Sequence, residues 1–121
     1  MTRIFFLNPD PKIIALYQPV LQQYFTVDSA NDGLTGLRKI RLHQPRLVIS
    51  DYHLPRLSGL ALLKYIRATP TLHAIPFLFL TDHDDPADAL SFGANDWIPR
   101  LDTQPSFLID RIFHHLKTYG I

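Results

Sequence analysis

Five short apolar runs alternate along this chain with segments whose apolar residues recur at helical spacing. No other feature of the sequence restricts its fold as much. Ile4–Leu7, Thr26–Ala30, Leu47–Ser50, Phe77–Leu80 and Asp96–Ile98 are strand-sized. Between them lie Lys12–Phe25, Gly33–His43, Gly59–Ala68 and Asp85–Phe92, and Pro105–Tyr119 follows the last strand. In Lys12–Phe25, Ile13, Leu16, Tyr17, Val20, Leu21 and Tyr24 repeat with the period of one helix face. Leu108, Ile109, Ile112, Phe113 and Leu116 form a similar stripe near the C-terminus. Gln44-Pro45 stops the second helix and Gly93 closes the fourth. Pro19 has no N–H for the carbonyl of Ala15, so a bend is expected there. Strands alternating with helices favour a parallel sheet covered by helices on both faces, an α/β fold.

Composition narrows the function classes. A chain of 121 residues is expected to form a single domain over 1–121 with one real core. The formal net charge of +1 provides no global field for nucleic acid or membrane. There is no cysteine, which removes disulfides, thiolate metal sites and thiol redox switches. The apolar runs fall far short of the roughly 20 residues that span a bilayer. Met1-Thr2-Arg3 leads into the first strand with no cleavage pattern, so a cytoplasmic domain is expected.

The chemistry should lie at Asp51. It ends the run Leu47-Val48-Ile49-Ser50 and precedes a turn containing Pro55 and Gly59. A buried strand ending at a carboxylate puts that carboxylate in the crevice where open α/β sheets bind their ligands. By itself, such an aspartate is more often a turn cap. Its surroundings change that reading. Asp51-Tyr52-His53-Leu54-Pro55, with Leu57 and Gly59 beyond, resembles the phosphoacceptor stretch of response-regulator receiver domains. Thr81 ends the fourth strand, 30 positions after Asp51, as in typical receivers. Gly93-Ala94-Asn95-Asp96-Trp97 is similar to the family's stretch before its last strand.

The resemblance covers nearly the whole chain and implies a flavodoxin-like doubly wound sheet of five parallel strands, order 2-1-3-4-5, with five helices. It also implies roles. Asp51 becomes the phosphoacceptor in a two-component phosphorelay, fed by a sensor histidine kinase or phosphotransfer protein and read by a downstream protein partner. A homodimer is a further expectation; direct contact with nucleic acid or membrane is not. A carboxylate attacking an anionic phosphoryl group needs a cation, and the family uses Mg²⁺. The metal set carried over is Asp51, Asp10, Asn8 and the backbone carbonyl of His53. Thr81 and Arg100 take the family's phosphoryl-binding hydroxyl and lysine positions. Trp97 takes the aromatic switch position on the partner surface.

Several positions depart from the family. Asn8-Pro9 stands where receivers carry two acids, and Mg²⁺ favours carboxylate and water oxygens, so weak or absent metal binding is expected. Asp10 can cap the first helix ahead of Pro11 instead of binding metal. Arg100 keeps a positive charge on a larger planar fork and is expected to reach a phosphate or to pair with Asp51 at rest. Leu101 replaces the family's proline, so a trans bond is expected there. The stretch from Thr81 to Gly93 is 12 positions, about one turn short. His53 and His83 each lie two positions beyond a site residue. Zn²⁺ binding by this pair with Asp51 is a weaker expectation than two exposed loop imidazoles. His114 and His115 suit the negative end of the last helix.

Two other functions compete with the phosphorelay reading. One is a pseudo-receiver that binds proteins without phosphorylation. The other is a phosphatase resembling haloacid dehalogenases. That chemistry needs a second Asp two positions after the nucleophile, and His53 stands there.

Overall fold

The computed structural model describes residues 1–119, with side chains as far as residue 117; Gly120 and Ile121 lie outside the described residues. The strands are β1 (Arg3–Leu7), β2 (Thr26–Ala30), β3 (Leu47–Ser50), β4 (Phe77–Thr81) and β5 (Asp96–Pro99). The helices are α1 (Pro11–Leu21), α2 (Gly33–His43), α3 (Gly59–Ala68), α4 (Ala87–Ser91) and α5 (Pro105–Tyr119). All pairings are parallel, and the sheet order is β2-β1-β3-β4-β5. This is the expected flavodoxin-like arrangement. The strand order reverses between β1 and β3, and the crevice at their carboxyl ends holds Asn8 and Asp51.

Strand periodicity splits the core into two layers. Ile4, Phe6, Ile49, Leu78 and Leu80 face α1 and α5, which contribute Tyr17, Leu21, Leu108 and Ile112. Phe5, Leu7, Val48, Phe77 and Phe79 face the opposite layer, with Ile40, Leu62, Leu63 and Ile66 from α2 and α3. Burial on both faces is why these strands read as continuous apolar runs. Phe79 packs on Phe77 at 5.0 Å and on Trp97 at 5.3 Å between ring centres. Truncating such a residue to Ala costs about 3–5 kcal/mol.

Two helices are shorter than their sequence periods suggest. α1 runs through Pro19 and ends at Leu21. A turn then carries the buried Phe25 against Phe113, with ring centres 5.0 Å apart. The Leu21–Phe25 spacing looks helical because both side chains enter the same layer. α4 keeps only Ala87–Ser91, since the Asp85 carboxylate accepts the Ala87 N–H and forms a turn before it. No helix among the described residues is long and apolar enough to cross a membrane. No cis peptide bond occurs among them.

Candidate functional site

Asp51 is held where β3 ends. Its N–H donates to the Leu7 carbonyl at 3.0 Å, which fixes the residue against β1. Gly59 lets the next loop fold close: its N–H donates to the Tyr52 carbonyl at 2.9 Å. A Cβ on Gly59 would lie 2.3 Å from the Asp51 carbonyl oxygen, so a side chain there would push the loop off the strand end.

The closest polar contact of the Asp51 carboxylate comes from the neighbouring strand. Thr81 Oγ1 donates to Asp51 Oδ1 at 2.6 Å. The same hydroxyl accepts the N–H groups of Tyr52 at 3.4 Å and His83 at 3.2 Å. A hydroxyl has one proton and two lone pairs. With both lone pairs taken, its proton points at Asp51. Thr81 is buried and Asp51 half-buried, so the contact lies at the edge of the core. The His53 N–H adds a weaker bond to Asp51 Oδ1 at 3.3 Å. The strand ends therefore present one carboxylate, an aimed hydroxyl and a backbone donor.

The response regulator receiver domain profile matches residues 4–109. The chain belongs to this family. It is 31% identical over 123 residues to the transcriptional regulatory protein CseB of Streptomyces coelicolor, covering 98% of this chain and 51% of that protein. It is 32% identical over 101 residues to the transcriptional regulatory protein KdpE of Mycobacterium tuberculosis, covering 83% of this chain and 45% of that protein. The chain spans about half the length of these two relatives. The chemotaxis response regulator CheY4 of Vibrio cholerae has the same fold, with a TM-score of 0.88 at 23% identity over 96% of this chain and 99% of that one. The receiver domain of a signal transduction histidine kinase from Syntrophus aciditrophicus superposes with a TM-score of 0.86 at 25% identity, covering 99% and 93%. A receiver domain is a signalling module of two-component systems and works with histidine kinases or phosphotransfer proteins.

The β1 corner of this receiver is built differently. Asn8 is buried, and its Oδ1 accepts the Asp10 N–H at 2.9 Å. Asp10 caps α1 by accepting the Lys12 N–H at 2.9 Å, with Pro11 opening the helix. Of the four donors that the sequence offered to a metal, Asn8 and Asp10 take part in closing this loop. Receiver domains typically bind Mg²⁺. This donor set, one carboxylate plus an amide and a capping acid already engaged, does not fit a tightly held ion. Among the described residues, no group of three or more His, Asp or Glu could hold a metal ion. That leaves the Zn²⁺ expectation without a third ligand. His53 Nε2 and His83 Nδ1 instead lie 3.1 Å apart in a hydrogen bond.

Arg100 corrects another expectation. It does not pair with Asp51. Arg100 Nη2 meets Asp82 Oδ2 at 2.6 Å, while its own N–H donates to the Thr81 carbonyl at 3.0 Å. Register is the reason: Thr81 pairs with Pro99, so the next positions along each chain, 82 and 100, are neighbours. Opposite charges at the ends of adjacent strands could have suggested this from the sequence, but only with the register known.

Trp97 is half-buried, and its ring packs against Tyr52 at 5.7 Å and His83 at 5.9 Å as well as Phe79. Tyr52 stacks on His83 at 4.2 Å with the rings 8° from parallel. These rings join the loops after β3 and β4, and Tyr52 is a part of the site that sequence reasoning missed. His115 near the end of α5 also has a partner that the sequence did not show. It is buried, and its Nε2 lies 2.9 Å from Asp96 Oδ2, which also accepts from Arg111 Nε at 2.7 Å. Burial pushes the Asp96 carboxyl up, but the hydrogen bonds from His115 and Arg111 outweigh it and hold it below the usual carboxylate range.

Proposed function

We propose that this receiver domain accepts a phosphoryl group on Asp51 from a phosphohistidine of a sensor kinase or phosphotransfer protein. The 2.6 Å contact between Thr81 Oγ1 and Asp51 Oδ1 carries this reading. An Asp51 oxygen attacks phosphorus, the donor's P–N bond breaks, and the imidazole leaves with the bonding electrons. Thr81 then turns its hydrogen bond to an oxygen of the transferred group and keeps its proton. Arg100 supplies positive charge after leaving Asp82. Mg²⁺ binding is weak, because Asn8 and Asp10 are engaged in closing the β1 loop and Asp82 is paired with Arg100. Packing of Trp97 against Tyr52 and His83 couples the pocket to a surface read by a downstream partner in the cytoplasm. A homodimer through that surface belongs to the same reading.

Intact mass after incubation with acetyl phosphate, with and without Mg²⁺, tests this proposal. A single phosphate adduct is expected on the wild type and none on Asp51→Asn. Equal adducts on both would overturn the assignment.

One observation favours a second reading. Arg100 is engaged by Asp82 and the β1 corner by its own loop, without phosphate or metal. A pseudo-receiver binding partners through the same surface would have such a pocket. The absence of any adduct on the wild type would select it.

A further inference from the structure

The cation that the proposed phosphoryl site needs is already bound to a carboxylate. Arg100 is mostly buried, with its side chain 19% exposed, whereas Asp82 is 46% exposed. The Arg100 backbone is tied to the Thr81 carbonyl, so any redirection falls to its side chain. A cavity of about 370 Å³ opens beside the pair, lined in part by Thr81, His83 and Trp97. It gives the guanidinium space to turn. Tyr17 of α1 feels both charges: its hydroxyl is pushed up by burial, pulled down by Arg100 and pushed up by Asp82.

We propose that Asp82 is a positioning residue that holds Arg100 at rest and gives it up to the phosphoryl group formed on Asp51. This rests on the reading of Asp51 as phosphoacceptor. The exchange is electrostatically downhill. A phosphoryl group offers three acceptor oxygens and up to two negative charges, while Asp82 offers one charge partly screened by water. Asp82 thus acts as a competitor covalently placed one residue after Thr81. It slows phosphorylation by occupying Arg100 and by repelling the incoming anion.

The test is time-resolved intact mass with acetyl phosphate on the wild type, Asp82→Asn, Asp82→Glu, Arg100→Gln and the Asp82→Asn/Arg100→Gln double variant. Asp82→Asn should raise the adduct formation rate by roughly five- to twentyfold, within the range of coupling between contacting residues. Asp82→Glu should restore a rate near wild type. In the Arg100→Gln background, Asp82→Asn should gain clearly less, which a merely structural or purely repulsive role would not produce. Adducts of equal rate with and without Asp82, or equal gains in both backgrounds, would overturn the exchange while leaving Asp51 as acceptor. No adduct on any variant would remove the acceptor and the exchange together. Thermal melts of the same variants would then report the resting Arg100–Asp82 coupling separately.

Discussion

At the β3–β4 corner of the pocket, side chains from different strands meet; at the β1 corner, they close on their own loop. Thr81 directs its proton across the sheet to Asp51. Asn8 and Asp10, one strand away, bond to backbone N–H groups within two residues of themselves. The first corner keeps a hydroxyl aimed at the carboxylate from the next strand. The second uses Asn8 to close the loop and Asp10 to cap α1. Parallel register fixes the partners at the first corner, and loop chemistry fixes those at the second.

Thr81→Ala should produce the largest effect. Losing one aimed donor costs about 10²–10³ in rate at comparable sites, so adduct formation should fall by that order. Thr81→Ser should keep most of it. Wild-type rates in Thr81→Ala would show that the β4 hydroxyl is only a turn bond, and the contrast between the corners would disappear.

Next comes a network outside both corners. Asp96→Asn should cost about 1.5–3 kcal/mol at pH 7, the usual worth of hydrogen bonds to a charged group. Asp96 is held below its usual range, so its contribution is complete above the unfolded value near ~3.9 and fades as pH falls through the lower folded value. Melting curves should show the gap to wild type closing below about pH 4. A gap constant with pH would mean that the lost contribution is packing and not charge.

Rebuilding the β1 corner should have a smaller effect. Asn8→Asp with Pro9→Asp should tighten Mg²⁺ binding roughly tenfold, since hard cations favour carboxylate oxygens. Trp97 is the only tryptophan, and its contacts with Tyr52 and His83 make its fluorescence a fitting readout. Tight Mg²⁺ binding by the wild type, unchanged by the double substitution, would erase the difference between the corners.

The smallest effect belongs to Asp10→Ala. Losing the α1 cap should lower stability by about 0.5–2 kcal/mol, while the Mg²⁺ affinity should hardly move. A large drop in Mg²⁺ affinity in a titration would show that Asp10 turns inward to the metal.

Much of the fold was readable as a pattern. Strands such as Phe77–Leu80 are buried on both faces, which makes them continuous apolar runs, and helices buried on one face carry a stripe. Asp51 and Thr81 were visible because each ends such a run. The boundary of α1 was not, because Phe25 continues the helical spacing after the helix itself has ended.

The sequence by itself determined the alternation of elements and the two buried strand ends that carry Asp51 and Thr81. Those are properties of local spacing and residue type. Only the tertiary structure decided the partners. Arg100 found Asp82 through the β4–β5 register, Asp96 gathered Arg111 and His115 from α5, and Tyr52 stacked on His83 across two loops. Which charge meets which depends on distances between segments far apart in the chain, and those distances do not exist until the sheet has formed.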